Sequence, residues 1–232
     1  MTWLLLSIKK ILYKIGIDIS FVRKKELHSA LDMNDVDAAN KAWSNEKISK
    51  RFLSKSVLGR FQETLSILKD HDIEFTNKSI IDVGCGNGML LKFLSENFNV
   101  SSQTGMEYSE AAIEVAAKLN PEAEYIVHDI NLSYPVQYEA VICTEVIEHI
   151  LHPGNAFKNL LEMLQEGGIL LITVPNGRID TFAGHINFWS PESWDIFVAE
   201  NSGGLKYSTG EAGKVNLYAI VYMEEKVSPQ RN

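Results

Sequence analysis

Apolar positions recur along this chain with two different periods. Near the start, Trp3, Leu4, Leu5 and Leu6 lead into Ile8, Ile11, Leu12 and Ile15. The last four are spaced i, i+3, i+4, i+7, which is one face of a helix. Lys9, Lys10 and Lys14 fall elsewhere on that wheel, and Gly16 is suited to end it. Residues 32–40, with Asp32, Asn34, Asp35, Asp37 and Asn40, are polar and acidic and read as a linker. A second helical period covers 41–71. Its expected buried positions are Trp43, Ile48, Phe52, Val57, Phe61, Leu65 and Leu68, and it is expected to cap the open edge of the domain that follows.

From Ser79 the period shortens. Strand-like apolar runs at 79–83, 103–107, 125–127, 140–144, 168–174 and 217–223 alternate with helix-like stretches at 89–96, 110–119, 156–164 and 191–200. Pro191 occupies a first-turn position of the last of these helices. Alternating strand and helix, with strands apolar on both faces, means an α/β fold whose mostly parallel sheet is covered on both sides. The chain divides into a basic amphipathic segment (1–31), a helical cap and linker (32–75) and a ligand-binding domain (76–232).

Composition adjusts this picture in two places. With 232 residues, 45% hydrophobic and 22% charged, the chain has an ordinary globular balance and enough length for a full core. The net charge of −8 argues against a general nucleic-acid binder, which gains affinity by neutralising phosphates. Yet residues 1–25 hold six basic side chains against one acid, Asp18, so a head of +5 sits on a body of −13. The apolar run in that head is far shorter than a bilayer span. Its lysines follow the run instead of preceding it, unlike a signal peptide. An interfacial helix on an anionic membrane and a helix packed on protein both fit. Two cysteines, Cys85 and Cys143, allow no disulfide framework. A reducing cytoplasm is therefore expected, and on the interfacial reading the head would sit at the inner face of the membrane.

The candidate chemistry begins at Ile80-Ile81-Asp82-Val83-Gly84-Cys85-Gly86-Asn87-Gly88-Met89. Here a buried strand ends in a glycine-rich turn and a helix starts, the place where open α/β sheets bind ligands. A dinucleotide site would put glycine where Met89 stands, and a phosphate loop would end in Gly-Lys-Ser/Thr. The pattern is instead Asp-x-Gly-x-Gly-x-Gly. It resembles the first motif of the class I S-adenosylmethionine-dependent methyltransferases. That resemblance, over 79–221, implies a doubly wound, mostly parallel seven-stranded sheet of Rossmann-like form with a helical N-terminal extension. It also implies S-adenosylmethionine as cofactor. Asp82, Gly84, Cys85, Gly86 and Gly88 would then form the donor loop. Glu107, ending the second strand, would hold the ribose. Asp129 would meet the adenine amino group between the apolar walls Met106 and Ile130, and Thr144 would offer backbone groups.

The fourth strand runs into Thr144-Glu145-Val146-Ile147-Glu148-His149. A histidine beside the donor is a natural base for a hydroxyl acceptor, which makes His149 the candidate catalytic residue. Glu145, Glu148 and His149 stand at offsets 0, 3 and 4, so one helical turn or tight loop would gather two carboxylates and an imidazole able to hold Mg²⁺ or Mn²⁺. The run resembles the Glu-x-x-Glu-His of the ubiquinone-pathway O-methyltransferases. It also resembles that of the small-RNA 3′-terminal 2′-O-methyltransferases, which share a downstream histidine with an aromatic four residues later, matched by His185 and Trp189. The resemblance implies Glu145, Glu148, His149 and His185 as metal ligands. The alternative is a metal-free site in which the glutamates cap a helix and the histidine lines the pocket. Phe188, Trp189 and Trp194 either line an acceptor pocket or pack the loop, and His152 reads as a surface residue.

The function expected is methyl transfer, to oxygen, on a small-molecule, lipid-linked or cell-surface glycan acceptor. Long nucleic acid is disfavoured as partner by the acidic body, and oligomeric state is left open. The competing readings are a metal-dependent RNA 2′-O-methyltransferase and a catalytically silent scaffold of the same fold.

Overall fold

The computed structural model describes residues 34–45, 55–213 and 215–224. The amphipathic head at 1–25 and the expected core positions Ile48 and Phe52 lie outside the described residues.

Seven strands form one sheet: β1 (Ser79–Val83), β2 (Ser102–Glu107), β3 (Glu124–Val127), β4 (Tyr138–Thr144), β5 (Leu164–Pro175), β6 (Lys206–Ala212) and β7 (Asn216–Tyr222). Their order is β3-β2-β1-β4-β5-β7-β6, parallel except that β7 runs antiparallel to both its neighbours. The described helices are α1 (Val36–Trp43), α2 (Lys55–Asp70), α3 (Met89–Asn97), α4 (Glu110–Leu119), α5 (Pro153–Glu162) and α6 (Pro191–Asn201).

The strands alternate their side chains between two cores, as a pleated backbone must. Ile80, Ala140, Ile142, Ile169 and Leu171 point to one face, where Leu65 and Leu68 of α2 and Leu90, Leu91 and Leu94 of α3 cover them. Ile81, Val141, Cys143, Leu170 and Ile172 point to the other, against Phe157 and Leu160 of α5 and Trp194 and Val198 of α6. Burying a side chain of this size contributes roughly 1.5–3 kcal/mol, so two filled faces hold the sheet rigid beneath its loops. After β1 the chain winds outward to β2 and β3, then returns to place β4 on the other side of β1. This reversal opens a crevice at the carboxyl ends of β1 and β4.

Several boundaries differ from expectation, each for a physical reason. The polar stretch taken as a linker contains α1. Asp35 caps it by accepting from the Ala38 amide at 2.7 Å, Asp37 stands in the first turn and Lys41 in the last. Acids that look like linker composition are here helix-start signals. Helix α5 starts at Pro153, with the ring at a position that needs no amide donor, and ends at Glu162 because β5 already begins at Leu164. Strand β6, Lys-Tyr-Ser-Thr-Gly-Glu-Ala, shows no apolar run and was not anticipated. Its pairing with β7 over seven residue pairs supplies what its composition does not. Of the expected α2 core, Val57, Leu65 and Leu68 are buried and Phe61 is partly so, while Trp43 is half-buried.

Candidate functional site

A cavity of about 670 Å³ opens at the crevice. The glycine loop forms its floor. Gly84, Gly86 and Gly88 all adopt positive φ, at 77°, 50° and 71°, in the region open to glycine without strain. A Cβ on Gly84 would lie 2.3 Å from Val146 Cγ2, and one on Gly88 would lie 2.4 Å from the Tyr125 hydroxyl. The loop is pinned to β2, because the Gly84 and Cys85 amides donate to the Met106 carbonyl at 2.8 and 3.0 Å.

Glu107 ends β2 and is buried at the cavity wall. One carboxylate oxygen accepts from the Gly86 amide at 3.2 Å, the other from the Tyr108 and Ser109 amides at 2.9 and 3.2 Å. Burial raises its pKa, and these amides oppose the rise. Asp82 is buried beside it and carried up to about 7, first by burial and then by the Glu107 charge. Two carboxylates on one apolar floor make a strong attraction for a cationic ligand group. Asp129, Ile130 and Met106 line the same cavity, as do Cys85 and Thr144. Asp129 is anchored by accepting from the Asn131 amide at 2.9 Å. The structure therefore brings Asp82, Gly84, Cys85, Gly86, Met106, Glu107, Asp129, Ile130 and Thr144 to one cavity, while Gly88 does not line it and instead stands as the N-cap of α3. The Cys85 and Cys143 thiols are pushed up by burial and are held as packing groups.

Beyond the donor end lies a second constellation. After β4 the chain makes only one tight turn, Ile147–His149, and Glu145 before it has a left-handed φ of 58°. Glu145 is not among the group formed by Glu148, His149 and His185, whose ligand atoms lie within 4.8 Å of one another, although its charge acts on Glu148. It lines the cavity instead, accepting from the Thr173 hydroxyl at 3.2 Å. Burial raises its pKa, and the Arg60 guanidinium draws it back.

Glu148 is 1% exposed, and neither carboxylate oxygen has a hydrogen-bond partner among the described residues. Burial, and then Glu145, drive its pKa well above the ordinary range. Both imidazoles turn Nε2 toward it, at 3.9 Å from His149 and 3.8 Å from His185. Each ring is oriented from behind. His185 Nδ1 donates to Asp180, whose pKa is lowered because the bonds from His185 and the neighbouring amides outweigh its burial. His149 Nδ1 lies 3.1 Å from the Gly184 carbonyl, which can only accept, so Nδ1 carries the proton and Nε2 is bare. Burial, reinforced by His185, lowers the His149 pKa to about 4, leaving a neutral ring. A buried carboxyl group without a hydrogen-bond partner among the described residues, faced by the Nε2 atoms of two imidazoles, could hold a divalent cation of borderline character.

Asp180, Arg60, Asn34 and Trp43 were not anticipated as site residues. Only the proximity of Asp180 to His185 in sequence offered a signal. Phe188, Trp189 and Trp194 do not line the cavity. Trp194 is buried, its indole N–H donating to the Tyr218 carbonyl at 2.9 Å, and it stacks on Phe197 with Trp189 alongside. They pack the loop. His152 is exposed, as expected. No helix among the described residues is long and apolar enough to cross a membrane.

Residues 52–201 match the family model described as Methyltransferase domain. The chain is 29% identical over 164 residues to the mitochondrial ubiquinone biosynthesis O-methyltransferase of Schizosaccharomyces pombe, covering 66% of this chain and 58% of that protein. It is 27% identical over 154 residues to the ubiquinone biosynthesis O-methyltransferase of Rickettsia bellii, covering 64% of each. The chain thus spans about three-fifths of the length of these curated relatives. Among solved structures, the N-methyltransferase NodS from Bradyrhizobium japonicum, in complex with S-adenosyl-L-homocysteine, superposes with a TM-score of 0.62. That match has 17% identity and covers 83% of this chain and all of that one, a likeness of fold.

Proposed function

The chain belongs to the methyltransferase-domain family, and from this we propose that it transfers the methyl group of S-adenosylmethionine to a hydroxyl oxygen, at a centre where Glu148, His149 and His185 hold Mg²⁺ or Mn²⁺. The observation that carries the reading is the buried Glu148 carboxylate, without a hydrogen-bond partner and faced by two imidazole nitrogens. The relatives named as O-methyltransferases support oxygen as the methyl acceptor. An acceptor with a second oxygen beside the reacting hydroxyl, on a small or lipid-linked molecule, suits such a centre. The basic segment 1–25 suits a membrane-adjacent acceptor.

The sulfonium donor supplies a methyl carbon already activated for displacement, and a bound cation supplies Lewis acidity that lowers the pKa of a hydroxyl. The protein's part is alignment and proton handling. Glu107 would hold the ribose hydroxyls, Asp82 the donor's amino group and Asp129 the adenine amino group, and the glycine loop would admit the donor close to the backbone. His149, neutral and with Nε2 bare, is free to ligate without first losing a proton. Glu145 lines the cavity with a raised pKa and is suited to take up the acceptor's proton.

Calorimetry tests this directly. S-adenosylhomocysteine should bind chelator-stripped protein with micromolar affinity, and Mn²⁺ should give a separate heat that Glu148→Ala abolishes. Absence of the first heat would remove the donor assignment, and absence of the second would remove the cation.

Donor binding should also depend on pH through Asp82. With its pKa near 7 in the empty site, the donor's ammonium meets a carboxylate that must lose a proton below neutrality. Affinity for S-adenosylhomocysteine should fall about tenfold from pH 8 to pH 6, and Asp82→Asn should flatten that profile. The effect on folding has the opposite sign. A raised carboxylate pKa favours the fold below the unfolded value near 4, and that contribution is lost as pH rises through 7. A flat binding profile in the wild-type protein would place the ammonium elsewhere.

A further inference from the structure

Asn34 stands 115 residues before His149 in the chain, yet its side-chain oxygen lies 3.0 Å from His149 Nδ1. Its side-chain nitrogen donates to the Gly184 carbonyl at 2.9 Å. His149 Nδ1 donates to that same carbonyl at 3.1 Å. The three groups form a closed set in which Asn34 is both donor and acceptor. We propose that Asn34 is a positioning residue for the reaction centre, carried there by α1 when that helix seats over the donor site.

The first half of the argument is chemical. An imidazole can carry its proton on either nitrogen, and what the far nitrogen contacts decides which. Here Nδ1–H is shared between the Asn34 oxygen and the Gly184 carbonyl, so Nε2 is left bare and turned toward Glu148. Asn34 also fills the carbonyl's second lone pair, which holds Gly184, and so the start of the His185 segment, in place. One amide orients His149 and steadies the loop that brings His185.

The second half is mechanical. Asn34 precedes α1, and α1 is tied to the donor end of the cavity. Asn40 of α1 accepts from the Ser109 hydroxyl at 2.7 Å and from the Ala111 amide at 3.2 Å, immediately after Glu107. The Tyr108 hydroxyl lies 3.5 Å from the Asn34 carbonyl, which accepts from it. The Trp43 ring covers Gly86 so closely that a Cβ there would be 3.0 Å from it. The segment that roofs the glycine loop is therefore the one that delivers Asn34 to His149. Donor cover and orientation of the centre are joined in one short helix.

The assignment rests on His149 and Glu148 forming the reaction centre, and its test separates the two ideas. Full-length Asn34→Leu and Asn34→Asp variants are compared with wild type in two measurements. Long-range ¹⁵N–¹H correlation spectra of the metal-free proteins report the His149 tautomer, and calorimetry reports Mn²⁺ affinity. The wild-type ring should carry its proton on Nδ1. Asn34→Leu removes one acceptor and also the bond that anchors the Gly184 carbonyl, so it should convert the ring to a mixture of tautomers and weaken Mn²⁺ about tenfold or more, as loss of a group behind a metal-ligating histidine does. Asn34→Asp keeps an acceptor for Nδ1–H and should retain the tautomer. A wild-type tautomer and Mn²⁺ affinity in Asn34→Leu would overturn the proposal, leaving the Gly184 carbonyl as the sole orienting group. Equal loss of the tautomer in both variants would also overturn it, since the amide would then only fill space. If wild type binds no Mn²⁺, the cation reading fails, and the tautomer comparison still decides the role of Asn34.

Discussion

Replacing Glu148 by leucine should yield a protein that is more stable without metal and inactive with it. In the metal-free state the carboxylate is buried with both oxygens lacking hydrogen-bond partners among the described residues. A buried polar group in that condition costs about 1–3 kcal/mol, and leucine fills a similar volume with none to satisfy. The gain should appear as a rise in Tm of roughly 2–10 °C in chelator. With Mn²⁺ at about a thousand times its Kd the order should reverse, because binding stabilises only the wild-type fold, by about 4.1 kcal/mol. Lewis-acid assistance supplies several kcal/mol to the reaction, so kcat should fall about a thousandfold or more. Unfolding curves in chelator and in Mn²⁺ are the check. A destabilised metal-free Glu148→Leu would mean that the carboxylate has a partner in solution, and the site would lose its main support.

Glu107→Ala should weaken S-adenosylhomocysteine at least about a hundredfold. Hydrogen bonds to an ionised acceptor contribute about 1.5–3 kcal/mol each, and a ribose offers two hydroxyls. The same change strands the Gly86, Tyr108 and Ser109 amides that Glu107 now accepts, so the fold should also lose about 1–3 kcal/mol. Glu107→Gln separates these effects. It keeps one acceptor oxygen, for the Gly86 amide or for the Tyr108 and Ser109 amides, and presents a neutral group to the ribose, so stability should recover in part while affinity stays low. Wild-type affinity in Glu107→Gln would remove the ribose assignment.

What could be read from the sequence was local. Asp82, Gly84, Gly86, Glu107 and Asp129 stand at or just beyond the ends of strands that announce themselves by apolar runs, and the structure gathers them at one cavity. Glu148, His149 and His185 were visible as residue types. The course of the chain at Glu145 was not, because it includes one left-handed backbone angle that spacing does not encode. The role of Asn34 was hidden for a different reason. A polar residue in an acidic stretch acquires meaning only from a contact 115 positions away. Likewise β6 is a strand because β7 pairs with it, and no property of Lys-Tyr-Ser-Thr-Gly-Glu-Ala announces that.

The insertion of β7 between β5 and β6 also bears on how the chain is made. Strand β5 is buried on both faces over most of its length, and its free edge is closed only when Asn216–Tyr222 pairs with Leu170–Pro175 and Ile169. On a ribosome, β1 to β5 emerge first and can assemble, but they expose an apolar edge until about forty further residues have been synthesised. Such an edge is a template for pairing with another nascent chain. The interval between the appearance of β5 and that of β7 is therefore when this protein most needs a chaperone, and slowing translation there should cost yield of folded product.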